Sequence, residues 1–211
     1  MMNIRPGAHL VFIGDSVTDC DRARPIGEGS RDALGKGYVA TVAENLLAVH
    51  SGNPIRIANM GVSGNTVKDL ATRWDADVLA LAPDWLSVMI GINDVWRQFR
   101  KSDMGVAVMP DEFERTYDAL IARTRTRLQG LILMTPFYVQ GDRSDPMRRR
   151  LEEYRAMTTK LAARHGAILV DTQAAIDLAL AEQDYAEIAE DRVHPTKAGH
   201  AIVARAFLCA V

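Results

Sequence analysis

The chain has 211 residues, 25 of them basic and 27 acidic, and 48% are hydrophobic. That length suits one α/β domain burying roughly 70% of the surface its unfolded form exposes. A net charge of −2 leaves no basic footprint for nucleic acid or an anionic membrane surface, and no apolar run approaches transmembrane length.

In chain order, His9 to Ile13 is an apolar strand, and Gly14-Asp15-Ser16 is a tight polar turn after it. Before it, Met1 to Ala8 lacks the apolar core of a signal peptide. Asp21 to Gly37 is rich in Gly, Arg and charge and reads as a long surface loop beside the first turn. Val39, Val42, Leu46 and Val49 mark a helix over Tyr38 to Val49, with His50 at its C-terminal end and Gly52 as its stop. Ile55 to Met60 is a strand ending in Gly61-Val62-Ser63-Gly64-Asn65. Thr66 and Asp69 form a capping-box pattern that opens a helix closed by Pro83. Trp85 to Ile90 is a strand whose turn is Gly91-Ile92-Asn93-Asp94, and the pattern from Val95 to Pro110 is weak.

A helix starts at Asp111, a strand runs from Leu131 to Thr135, and Phe137 to Ser144 is loop. Asp145-Pro146 is an N-cap with proline in the first helical turn. In the helix that follows, Arg148-Arg149-Arg150 reads as a solvated face, and Gly166 ends it after His165. Ala167 to Asp171 is the last strand, and a helix after Pro195 closes the chain. Five continuous apolar strands alternating with helices give a three-layer α/β/α sandwich with a five-stranded parallel sheet in one domain, 1–211. Sites in such sheets lie beyond the carboxyl ends of the strands, where the turns holding Ser16, Gly64 and Asn93 fall.

Serine attack on a carbonyl needs a nucleophile, a base, an orienter for the base and donors for the oxyanion. Ser16 is the candidate nucleophile, placed where a strand gives way to a helix. Among the five histidines, His50 and His165 sit at helix ends, His9 stands at the start of the first strand and His200 packs or caps within the last helix. Only His194 has a carboxylate three residues earlier in a turn-like segment, so Asp191 can fix its tautomer. Asp171 is a rival orienter. The Asp-x-x-His pair is also half of a metal site in principle, but no further His, Asp or Glu at ligand spacing lies nearby in sequence. Gly64 N–H, the Asn93 amide and Ser16 N–H are candidate oxyanion donors. Asp15 flanks Ser16 as a candidate pocket residue, and Trp96, Arg97, Phe137 and Tyr138 lie near strand ends, where they line a pocket or pack in the core.

Two other readings use the same residues differently. Ser63 in Gly61-Val62-Ser63-Gly64 has part of a nucleophile elbow, yet Asn65 stands where the second glycine belongs. A flavodoxin-like binding module without turnover would need a phosphate loop, and no G-x-G-x-x-G or Walker pattern follows a strand.

Gly14 to Asp19, Ser63-Gly64-Asn65-Thr66, Gly91 to Asp94, and Asp191 with His194 resemble the four ordered blocks of the SGNH (GDSL-type) hydrolases. The resemblance implies a flavodoxin-like fold and a cofactor-free Ser-His-Asp esterase, with Ser16 as nucleophile, His194 as base, Asp191 as its orienter, and Ser16, Gly64 and Asn93 as oxyanion donors. Val17 departs from the usual leucine or isoleucine. Cys20 to Pro25, Gly91 to Gln98 and Leu133 to Tyr138 are similar to bacterial esterases that include acetylxylan esterases. That narrower likeness implies an acetylated-sugar substrate and a homo-oligomer, and makes Glu190, which stands where tryptophan is usual, a candidate pocket residue that changes the shape and polarity of the wall. Lysophospholipase or thioesterase action on longer chains is the alternative within the family. Cys20 and Cys209 lie far apart without metal-ligand spacing and read as free thiols in a reducing cytoplasm.

Overall fold

Short apolar runs bounded by glycine, proline and polar turns become the strands of one sheet. The computed structural model describes residues 4–49 and 52–211, so the expectation for His50 lies outside the described residues. The strands are β1 (His9–Gly14), β2 (Gly27–Glu28), β3 (Arg56–Asn59), β4 (Trp85–Met89), β5 (Gly130–Met134) and β6 (Ile168–Val170), in the order β2-β3-β1-β4-β5-β6. All pairs are parallel except β2 with β3.

The α-helices are α1 (Ser16–Asp19), α2 (Tyr38–Val49), α3 (Val67–Trp74), α4 (Ile92–Trp96), α5 (Pro110–Arg125), α6 (Pro146–His165), α7 (Thr172–Leu180), α8 (Tyr185–Ile188) and α9 (Lys197–Ala210). Alternate residues of β1 feed opposite layers. Leu10 and Phe12 join Val39, Leu46, Ile176 and Phe207 from α2, α7 and α9. Val11 and Ile13 join Leu70, Trp74, Tyr117 and Leu151 from α3, α5 and α6. Burial on both faces is why the strands read as unbroken apolar runs.

From β1 the chain steps to β3 on one side, then crosses back to β4 on the other. The carboxyl ends of β1 and β4 therefore flank the point where the strand order reverses, the usual crevice for ligands in such sheets. Two close approaches fix the turns there. A Cβ on Gly14 would lie 2.4 Å from the Met89 carbonyl oxygen, and one on Gly61 would lie 2.2 Å from the Asp19 nitrogen. Asn59, fully buried, ties the same region together: its amide donates to the carbonyls of Thr18 (2.7 Å) and Leu34 (2.8 Å), and its oxygen accepts from Gly61 N–H (2.9 Å).

The sheet has six strands rather than five. The extra one, β2, lies in the segment expected to be all loop and forms a short antiparallel edge strand of a kind that blunts a sheet edge. That segment is also less exposed than its polarity suggests, because Arg22 is buried and donates to the carbonyls of Gly61, Ala23 and Pro25. Arg148 corrects the solvated-face expectation in the same way. It is 1% exposed and bonds Asp177, Glu152 and the Gln140 carbonyl. After Trp74 the third helix continues as a π turn, Asp75–Leu79. The weakly patterned stretch after Val95 holds the end of α4 and two 3-10 segments, Arg97–Phe99 and Lys101–Val106. No helix among the described residues is long and apolar enough to cross a membrane.

Asp94, in α4, is fully buried. Its Oδ1 accepts the Val67 N–H (3.0 Å) that opens α3, and its Oδ2 has no hydrogen-bond partner among the described residues. Burial outweighs the Val67 bond and pushes the carboxyl from 3.8 up to about 8. Between those values the folded state binds more protons at this site than the unfolded chain, so stability falls as pH rises through that window. Asp94→Asn keeps an acceptor for Val67 and removes the ionisable group. Urea unfolding at pH 5 and pH 8 is expected to show the variant losing less stability than the parent across that interval, by more than about 1 kcal/mol. An equal loss in both proteins contradicts the assignment.

Candidate active site

Ser16 is set by the end of β1. Asp15 caps α1 by accepting Val17 N–H at 3.0 Å, and Ser16 opens that single turn. Asp15 itself is 1% exposed and does not line the Ser16 cleft, which corrects its placement among pocket residues; its Oδ1 is engaged in the cap. Burial pushes its carboxyl up to about 7, against the Val17 hydrogen bond and the nearby His194.

His194 sits in the turn before α9. Asp191 Oδ1 accepts the backbone N–H groups of Val193 (3.0 Å) and His194 (2.8 Å), while its Oδ2 pairs with His194 Nδ1 at 2.6 Å. The turn and the pair are thus made by one carboxylate. Partial burial works to raise the Asp191 carboxyl, but the hydrogen bonds from the His194 ring and from the two backbone groups outweigh it and hold the group below its ordinary value. On the other side of the ring, His194 Nε2 lies 3.1 Å from Ser16 Oγ. An anionic carboxylate accepting from Nδ1–H leaves Nε2 as an acceptor for the serine proton.

Gly64 and Asn93 face the same cleft as Ser16. Gly64 has φ +80, a left-handed conformation that glycine adopts without strain. The Asn93 amide donates one hydrogen to the Asn65 carbonyl at 3.0 Å, which orients its second hydrogen. Arg97 Nη2 donates to the Gly64 carbonyl at 2.7 Å, pinning the same loop.

The cleft has a volume of about 500 Å³, within the usual range for a small-molecule site. Trp96 forms one wall, its ring edge-on to His194 with centroids 6.0 Å apart, and Arg100 lies 5.4 Å from the Trp96 centroid. Arg97 lines the cleft too, whereas Phe137 is buried in the layer of α2, α7 and α9 and Tyr138 packs against the core layer on the other face of the sheet. Glu190 is exposed and lines a groove with Asp191, His194, Pro195 and Thr196, a groove that shares His194 and Pro195 with the Ser16 cleft.

The rival residues are occupied elsewhere. Asp171 caps α7 and pairs with Arg155 at 2.6 Å. Ser63 lines the cleft but donates from Oγ to Asp19 Oδ2 at 3.0 Å, a carboxylate already paired with Arg24. His200 also reaches the cleft. Its Nδ1 accepts Tyr38 N–H at 3.2 Å, which places the proton on Nε2, 3.4 Å from Cys20 Sγ. Burial, with His194 nearby, lowers its pKa to about 4. It is therefore a neutral packing histidine, as its helical position implied.

Sequence reasoning missed Arg73, which joins the turns after β1 and β3. It donates to the Gly14 carbonyl (2.9 Å), the Met60 carbonyl (2.7 Å) and Asn65 Oδ1 (2.7 Å), and pairs with Asp77. Its spacing from Asp77 reads in sequence as an ordinary helical ion pair, so only the fold reveals the role.

The GDSL-like lipase/acylhydrolase family model matches residues 12–202. An acetylxylan esterase from Geobacillus stearothermophilus is 52% identical over 208 residues, 98% of this chain and 95% of its own length. The crystal structure of an acetylxylan esterase from that organism superposes with a TM-score of 0.96 at 51% identity, covering 99% of this chain and 96% of the other. Catalytic mutants of that enzyme, solved at the same similarity, replace a serine, an aspartate and a histidine. An alpha/beta hydrolase enzyme from the metagenome of Lake Arreo, Spain, is 46% identical with a TM-score of 0.96, covering 100% of this chain and 97% of the other. The chain belongs to the GDSL-like lipase/acylhydrolase family and is a carboxylic ester hydrolase.

Proposed function

We propose that this chain removes acetyl groups from xylo-oligosaccharides, with Ser16 as nucleophile, His194 as general base and acid, and Asp191 as the group that orients His194. The observation that carries the reading is the unbroken chain from Asp191 Oδ2 through His194 to Ser16 Oγ, at 2.6 and 3.1 Å, opening onto a cleft. The substrate follows from the relatives, among them an acetyl-xylooligosaccharide esterase 50% identical with a TM-score of 0.96 that covers 96% of its own length.

His194 Nε2 takes the Ser16 proton as Oγ bonds to the ester carbonyl carbon. The oxyanion is held by Ser16 N–H, Gly64 N–H and the free hydrogen of the Asn93 amide. As the intermediate collapses, the bond from carbon to the sugar oxygen breaks and His194 protonates that oxygen. Water, losing its proton to His194, then attacks the acetyl-serine, and acetate leaves as Ser16 recovers its proton. Asp191 stays ionised and stabilises the imidazolium at each step.

The proposal includes a single hydrolase domain over 1–211, a cytoplasmic setting and self-association. One continuous sheet and the span of the family match support the first. The free thiols of Cys20 and Cys209 support the second. Exposed Leu47, Val49 and Leu178 on α2 and α7 leave apolar surface for the third.

Turnover of p-nitrophenyl acetate and peracetylated xylose is expected to vanish in Ser16→Ala while the circular dichroism spectrum stays parental; retained turnover removes Ser16 from the mechanism. Asn93→Ala is expected to lower kcat by roughly 10²–10³-fold, the usual cost of one oxyanion donor, and a parental kcat takes Asn93 out of the hole. Across p-nitrophenyl esters from acetate to palmitate, rates are expected to be highest for acetate. A maximum at long chains contradicts the acetyl-sugar reading and moves the protein to acyl hydrolysis of lipids or thioesters with the same triad.

A further inference from the structure

Between Asp191 and His194 the backbone makes an unusual choice. Arg192 has φ +67, a left-handed conformation for a residue with a long side chain. Such a position costs free energy and persists where surrounding contacts hold it. The contacts here are numerous. Arg192 N–H donates to the Ala189 carbonyl at 3.0 Å, and its carbonyl accepts Val139 N–H at 2.9 Å. Its guanidinium returns to the same residue, donating from Nη1 to the Val139 carbonyl at 3.0 Å, and lies 3.6 Å from the centroid of the Tyr185 ring.

The far side of this clamp is rigid. Val139 is fully buried. Its neighbour Tyr138 donates N–H to Gln173 Oε1 at 2.8 Å, and Gln140 presents its carbonyl to the buried Arg148 at 2.9 Å. Tyr185 belongs to α8, whose Ile188 carbonyl accepts Thr196 N–H at 2.8 Å just after His194. The turn bearing Asp191 and His194 is therefore gripped at its middle by Arg192 and at its exit by α8.

We infer that Arg192 is a positioning residue for the esterase reaction: its guanidinium, seated between the Val139 carbonyl and the Tyr185 ring, holds the Asp191–His194 turn so that His194 Nε2 stays within reach of Ser16 Oγ. The inference rests on the triad proposed above. Without the guanidinium, the turn keeps the Asp191 carboxylate bonds and its backbone bonds to Ala189 and Val139 but is held less firmly at its distance from α1, which carries Ser16. A shift of an ångström at a reacting group costs up to about 10²-fold in rate.

Glycine separates the two roles of Arg192, because R192G retains the left-handed backbone without strain and removes only the guanidinium. For R192G, kcat on p-nitrophenyl acetate is expected to fall about 10-fold, with KM within about twofold of the parent, a split that marks loss of transition-state geometry rather than substrate binding. R192K, which restores a cation over the ring, is expected to recover most of that loss. The far-downfield proton resonance of His194 Nδ1–H is expected to broaden in R192G and to persist in R192K. Tyr185→Leu, which leaves the arginine but removes the ring, is expected to lower kcat about threefold, the size of a surface cation–π contact.

Parental kcat and an unchanged downfield proton in R192G overturn the inference, as does an R192K no more active than R192G. Should R192G fail to fold, R192K and Tyr185→Leu carry the test, and parental kcat in Tyr185→Leu is the overturning result. A Ser16→Ala variant that keeps activity removes the triad itself; an inactive Ser16→Ala beside a fully active R192G leaves the triad standing and removes only the clamp.

Discussion

The 3.1 Å approach of His194 Nε2 to Ser16 Oγ joins two groups 178 positions apart in the chain. Nothing local to either residue can create it. Ser16 is located by β1, the central strand, and His194 by the turn before α9, so the contact exists only when the whole sheet and its last helix are in place. The chemistry of the protein is in this sense a property of long-range packing. The Asp191–His194 pair, by contrast, is made within four residues and needs the fold only to aim it.

Around that contact, the turns after β1, β3 and β4 are brought so close that side chains are excluded at Gly14 and Gly61. Their backbone groups are then shut away from water and need partners, since an unpaired buried polar group costs about 1–3 kcal/mol. Three polar side chains meet the need. Asn59 bonds the end of α1 and the Gly61 N–H, Arg73 bonds the Gly14 and Met60 carbonyls, and Arg22 bonds the Gly61 carbonyl. Arginine suits this work because its several fixed N–H groups can satisfy carbonyls on different loops at once. The oxyanion donors inherit their rigidity from the same set: Asn93 is oriented by the Asn65 carbonyl, and Arg73 holds the Asn65 side chain.

Much of this was legible in the sequence, and what was missed has a physical reason. The strands with apolar residues on both faces declared themselves, as did the turns with Ser16, Gly64 and Asn93, because local composition carries the signal. The Asp191–His194 spacing was sufficient to prefer Asp191 over Asp171, and Arg155 and the α7 cap show why Asp171 is not available. Charge, however, is an unsafe guide to exposure where arginines bond backbone. Arg22 and Arg148 carry the composition of loop and solvated face, yet both are buried, and the short strand β2 lies hidden in the same polar segment. Asp15 was placed in the pocket beside Ser16, yet it is buried and caps a helix; Glu190 was placed there by the narrower resemblance, and it faces a groove that shares His194 and Pro195 with the cleft.

The central claim is that Ser16 attacks and that Ser16 N–H, Gly64 N–H and the Asn93 amide receive the oxyanion. A crystal structure of the protein inactivated by a small organophosphonate tests it most directly, since the tetrahedral phosphorus and its oxygen stand in for the carbonyl carbon and oxyanion. The account predicts phosphorus bonded to Ser16 Oγ and its oxygen within hydrogen-bond distance of all three donors. An adduct on Ser63, or a phosphoryl oxygen turned away from Gly64 and Asn93, would contradict it.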